Sequence, residues 1–133
     1  MVAKELRIGN WVKDNKGSFI PVEDITEKGI NIEWYHELTC EAWDYDDLYP
    51  IPLTPEILHK AGFEKHRDSN EYWNHWVLKN GWCVSEWIWH CPIAGFEEKG
   101  VCYWGEEFIP MRYLHSLQNF YFCHTSQELP INL

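Results

Sequence analysis

Nowhere in the 133 residues do about 18 apolar residues run together, the length a membrane-spanning helix requires, so the sequence predicts no membrane association. A C-x-x-C pair is also missing. The cysteines are odd in number (Cys40, Cys83, Cys91, Cys102 and Cys123), and no secretory signal opens the chain, so they read as reduced thiols of a cytosolic protein. Basic residues are scarce: 11 Lys and Arg stand against 21 Asp and Glu, a formal net charge of −10. Residues 1–50 carry −6 of this and residues 51–133 carry −4. Affinity for phosphate backbones comes mainly from Lys and Arg, so direct binding to nucleic acid is not expected. No G-x-S-x-G is present, and Gly95 and Gly100 have the spacing of a phosphate loop but are followed by Val101 where Lys belongs. The sequence therefore assigns no catalytic residue, no metal and no cofactor.

Aromatic residues are abundant: nine Trp, seven Tyr and six Phe make up 17% of the chain. So many large rings are hard to hide in one small body, which points some of them at a ligand or a partner. The length suits one domain (1–133), with a β-rich part over 1–50 and an α+β part over 51–133.

Short apolar runs cut by turns at Asp14–Gly17 and Lys28-Gly29 predict an antiparallel meander or small barrel from Leu6 to Trp34. Residues 35–50 read as a loop with one edge strand. Thr54 is placed to cap a helix, Pro55 suits its first position and Gly62 its end, which predicts a short helix. Asn80-Gly81 predicts a two-residue hairpin loop in which Lys79 faces Trp82. That register places His75 with Glu86 and Glu71 with His90 on one face. Val101–Trp104 adds a third strand, and a final helix from about Pro110 to His124 presents Tyr113, Leu117, Phe120, Tyr121 and His124. The predicted fold is α+β, with an N-terminal β meander or small barrel and a hairpin-based antiparallel sheet covered by a C-terminal helix.

Three segments, Leu6–Val12, Asp47–Lys65 and Tyr113–Leu129, resemble a family of small uncharacterised proteins of phages, prophages and mobile elements in gut Bacteroidetes. Together they cover 43 of the 133 residues. The family has Gly after the helix-ending Thr where this chain has Ser126 after Thr125. The resemblance carries no activity and no catalytic residue; it implies an accessory role, including interference with host defence, in the host cytosol.

Two candidate surfaces follow. On the hairpin, Trp73, His75, Glu86, Trp87 and His90, with Arg112 as a polar contact, suit a flat nucleotide-like ligand, and Arg7 or Arg67 could join Arg112 if the ligand is anionic. The same rings could equally form core. Trp43, Asp44, Tyr45, Asp46 and Asp47 suit an acidic edge that docks on a basic host protein, with the two rings as anchors; a solvated loop has the same composition. The first surface gives a non-enzymatic ligand-binding protein, the second an inhibitor of a host protein. A metal-dependent hydrolase built on His75, Glu86 and His90 comes third. The sequence His36-Glu37-Leu38-Thr39-Cys40 resembles a helical zinc motif but has no helical period around it. Cys91 and Cys123 read as thiols buried beside core aromatics, and a homo-oligomer is left open.

Overall fold

The computed structural model describes residues 5–26, 29–34, 39–67, 73–91, 96–104, 108–131 and 133, with side chains described for all of these except 31–34, 39–42, 73, 87–91, 96–104 and 108–110. The described elements run in the order β1 (Trp11–Lys13), β2 (Phe19–Pro21), β3 (Asp24–Ile25), β4 (Gly29–Trp34), β5 (Thr39–Asp44), α1 (Pro55–Lys60), β6 (Glu64–Lys65), β7 (Trp73–Val77), β8 (Cys83–Cys91), β9 (Phe96–Trp104), β10 (Phe108–Met111) and α2 (Leu114–Thr125). All described strand pairs are antiparallel, which makes the fold α+β. Contacts divide the chain into two units: residues 1–52 with 113–129, and residues 53–112 with 130–133.

In the first unit β1 pairs with β2, and β3, β4 and β5 form a separate three-stranded sheet. The expected meander is thus split in two and no barrel closes, because β1, β2 and β3 are too short to carry a continuous ladder. The expected edge strand exists as β5, which pairs with β4 over six residues before a 3-10 helix at Tyr45–Asp47. Leu6, Val12, Ile20, Val22, Ile30 and Leu48 form the buried cluster.

Helix α2 also belongs to this unit, and it starts later than the sequence suggests. Pro110 lies in β10 opposite Cys102, on the outer strand of its sheet, where a missing N–H interrupts no inner ladder. The buried face of α2 is Leu114, His115, Leu117, Gln118 and Tyr121, whereas Tyr113 and His124 are exposed. Hydrophobic periodicity misplaced this stripe because two of its five members are polar. Cys123 is exposed as well, contrary to the expected buried thiol.

In the second unit the predicted helix forms as α1. The Thr54 side chain accepts from the Ile57 N–H at 3.3 Å, and Pro55 opens the first turn. Gly62, at φ +93°, stops it: its N–H donates to the His59 carbonyl and that of Phe63 to Leu58, the paired bonds of a Schellman motif. The chain leaves this turn directly into β6, the outer strand of a five-stranded sheet ordered β10, β9, β8, β7, β6.

The β7–β8 hairpin forms where Asn80-Gly81 predicts it, but one residue out of register. Gly81 has a positive φ of +90° and Asn80 does not, so the two-residue loop with both central residues left-handed is not formed. Leu78, not Lys79, faces Trp82, with the Leu78 N–H donating to the Trp82 carbonyl at 2.9 Å, and Lys79, Asn80 and Gly81 make a three-residue loop. Asn80 Oδ1 accepts from the Trp82 N–H and holds the loop shut. Every cross-strand pair shifts with it: Trp73 faces Trp87, Asn74 faces Glu86, His75 faces Ser85 and Trp76 faces Val84.

Candidate functional site

The shifted register dismantles the constellation expected on the hairpin. His75 and Glu86 no longer oppose one another and so stand on opposite faces of the sheet. His75 Nδ1 instead meets Ser85 Oγ at 2.9 Å, and buried Glu86 accepts from Asn74 Nδ2 at 2.9 Å. Trp73 and Trp87 are placed as a cross-strand pair and His90 opposite Glu97 by backbone register alone. Glu71 lies outside the described residues, as do residues 35–38 of the zinc-like motif. Arg112 follows β10, two strand spacings or about 10 Å from β8 and three from β7. Among the described residues no group of three or more His, Cys, Asp and Glu could hold a metal ion. The His75–Glu86 pairing on which the reading of a metal-dependent hydrolase rests is therefore not formed.

At the acidic edge, Asp44, Asp46 and Asp47 are exposed around the 3-10 helix. The two rings are already used: Trp43 and Tyr45 pack against the buried cluster of the first unit, and Tyr45 Oη donates to the Thr26 carbonyl at 2.6 Å. These rings hold the fold together and do not stand out as docking anchors.

Two of the segments that carry the family resemblance are joined by a polar network. Asn10, fully buried, accepts the Arg7 N–H at 2.8 Å and donates Nδ2 to Asn119 Oδ1 at 2.8 Å. Gln118, also buried, accepts the Trp11 N–H and donates to the Gly9 carbonyl, each at 2.9 Å. The Arg7 guanidinium makes a two-point pair with Glu128 and lies 4.2 Å from the centre of the Phe122 ring. Hydrogen bonding in this pair raises the Arg7 pKa and lowers that of Glu128. Arg7 is thus spoken for. His115 is buried with Nε2 3.9 Å from Glu5, and burial pushes its pKa below the ordinary imidazole value against the pull of that carboxylate. These groups lock α2 onto the N-terminal segment; their chemistry is structural.

The third resembling segment leads into a cleft of about 340 Å³ in the second unit. Lys65, His66 and Arg67 from β6 and its continuation line it, with Lys79 from the hairpin loop and, among the described residues, one carboxylate, Glu64. Gly62, Val77 and Leu78 supply the uncharged wall. The Schellman turn sets this strand beside β7: Glu64 faces Val77, Lys65 faces Trp76, and the His66 N–H donates to the His75 carbonyl. Lys65, Arg67 and Lys79 are exposed, and among the described residues none of the three is held by an ion pair or side-chain hydrogen bond. Beneath them Trp76 is buried and meets the His59 ring edge-to-face at 5.0 Å, which fixes the floor of β7.

The sequence reading singled out only Arg67 of this group. The available signal was the run Lys65-His66-Arg67 directly after a helix stop, a local reversal of charge in an acidic chain. Compared with protein-family models, with curated proteins and with solved structures, the chain has no significant match. Among the described residues no helix is long and apolar enough to cross a membrane.

Proposed function

We propose that this chain is a non-enzymatic binding protein that takes up a small nucleotide-like anion in the cleft along β6. The observation that supports it is the gathering of three cations, Lys65, Arg67 and Lys79, in one concavity, with no ion pair to them and one lining carboxylate among the described residues, in a chain of net charge −10. Cations concentrated in a hollow focus positive potential there while the remaining surface repels anions, so an anionic ligand is drawn to one place. The volume falls at the small end of ligand pockets, which suits a nucleotide or its phosphate tail.

On the resemblance to phage and mobile-element proteins, the role is that of an accessory factor in the host cytosol, which would counter host defence by sequestering a signal nucleotide. Titration calorimetry with ATP, ADP, GTP and cyclic AMP in low salt tests the reading. At least one should bind the wild type, with affinity lost in the Lys65→Gln/Arg67→Gln/Lys79→Gln variant; no heat from any of them overturns it.

A second reading, an acidic inhibitor of a basic host protein, draws support from the exposed carboxylates of Asp44, Asp46 and Asp47. It is the weaker one, since an interface needs buried anchors as well as steering charge, and Trp43 and Tyr45 are committed to the core.

A further inference from the structure

We infer that the cleft along β6 reads an oligophosphate chain and leaves the base unread, so that its ligands are defined by two or more linked phosphates. The inference rests on the nucleotide reading above and narrows it. It comes from the linear arrangement of the charges. Lys79 stands two residues beyond Val77, toward the α1 end of the cleft; Arg67 stands three residues beyond Glu64, the partner of Val77, toward the other. Arg67 and Lys79 thus stand toward opposite ends of the cleft, with Lys65 between them. One phosphate is best met by donors closing around a point, whereas a row of cations matches charges spaced along a chain.

The walls argue the same way. Among the described residues His66 is the one aromatic side chain that lines the cleft, and Gly62, Val77 and Leu78 offer no ring on which a base would stack. Trp76, the nearest indole in the ladder, is buried and packed on His59. A base held without sequence readout is usually stacked on a ring, and among the described residues no Trp, Tyr or Phe lines this cleft.

Calorimetry with inorganic tripolyphosphate, ATP, AMP and adenosine on the full chain in low salt tests this. Tripolyphosphate and ATP should bind within about threefold of each other, AMP at least about tenfold more weakly, and adenosine not at all. The Lys65→Gln/Arg67→Gln/Lys79→Gln variant should lose about 100-fold or more for tripolyphosphate with an unchanged circular dichroism spectrum, while Lys13→Gln/Lys16→Gln keeps wild-type affinity. Adenosine binding as tightly as ATP, with tripolyphosphate silent, overturns the inference and leaves the nucleotide reading standing on a different surface. Tripolyphosphate binding without ATP shows a phosphate site that rejects the nucleoside and overturns both the nucleotide reading and the inference that the base goes unread. Silence from all four probes, or equal losses in the two variants, overturns the inference as well.

Discussion

Asn10 and Asn119, 109 residues apart in the chain, share a side-chain hydrogen bond of 2.8 Å that ties the N-terminal segment to the C-terminal helix. Asn10 is fully buried and also accepts the Arg7 N–H, so it cannot be truncated without orphaning that backbone donor and leaving Asn119 Oδ1 with the longer bond from Arg7 Nε alone. Asn10→Ala should cost about 2 kcal/mol in urea unfolding, the usual penalty for buried groups left without partners. Asn119→Ala should cost a similar amount, and the double variant less than the two added together, because both sit in one network. Full additivity would show that the two amides act independently.

The pH dependence of stability follows from two groups in the same unit. Burial lowers the pKa of His115, so the unfolded chain takes up that proton first; stability falls as pH drops below the unfolded imidazole value near 6.5 and levels off below the folded one. Glu128 is lowered by its hydrogen bond to Arg7, so its contribution is present above the ordinary carboxylate range and disappears as pH falls through the lowered value. That contribution should be well under 1 kcal/mol, since half of the Glu128 side chain is exposed. Urea midpoints measured from pH 8 to pH 3 should show two declines. His115→Leu should remove the upper one, and Glu128→Gln should weaken only the lower.

Ser126 ends α2 in the left-handed region at φ 60°, with its N–H donating to the Phe122 carbonyl at 2.8 Å. The family that the chain resembles has Gly here, the residue that adopts such a conformation without strain. The cap forms nonetheless, helped by the Thr125 hydroxyl, which donates to the Tyr121 carbonyl and accepts from the Gln127 N–H. Ser126→Gly should therefore raise stability by about 0.5–1 kcal/mol, the strain relieved less the extra freedom of glycine in the unfolded chain. Thermal unfolding reads this directly.

Gly81 has the same conformational demand in the hairpin loop, at φ +90° with nothing within 4 Å of an added Cβ. Gly81→Ala should cost about 1 kcal/mol through backbone strain alone. Gly62→Ala, at φ +93° in the Schellman turn, should cost a similar amount and also disturb the cleft that begins there. Calorimetry on the two variants compares the effects: Gly62→Ala, in the cleft wall itself, should weaken tripolyphosphate binding more than Gly81→Ala, which acts only through the loop that carries Lys79.

Local chemistry was legible in this sequence wherever one residue type enforces one backbone geometry. Thr54, Pro55 and Gly62 specify α1, and Asn80-Gly81 specifies a hairpin. Register was not legible, because Asn-Gly serves two-residue and three-residue loops alike, and the choice between them moves His75 and Glu86 to opposite faces. The buried side of α2 was hidden for another reason. Gln118 and His115 are polar by composition; distant partners Gly9 and Trp11 satisfy the buried Gln118 amide, and Glu5 lies 3.9 Å from His115 Nε2. The cleft escaped for a third: Lys79 joins Lys65 and Arg67 through strand pairing and not through proximity in sequence.

Tyr45 decides between a docking surface and a structural one at the acidic edge. Its hydroxyl donates to the Thr26 carbonyl and its ring packs on the buried cluster, so Tyr45→Phe should lower stability by about 1 kcal/mol and Tyr45→Ala by more. The neighbouring Asp46 and Asp47 are exposed, and Asp46→Asn/Asp47→Asn should leave stability within about 0.5 kcal/mol of wild type. Urea unfolding of the three variants separates the roles. A Tyr45 ring held only by solvent would leave all three alike, and the aromatic anchor of a protein interface would then be available after all.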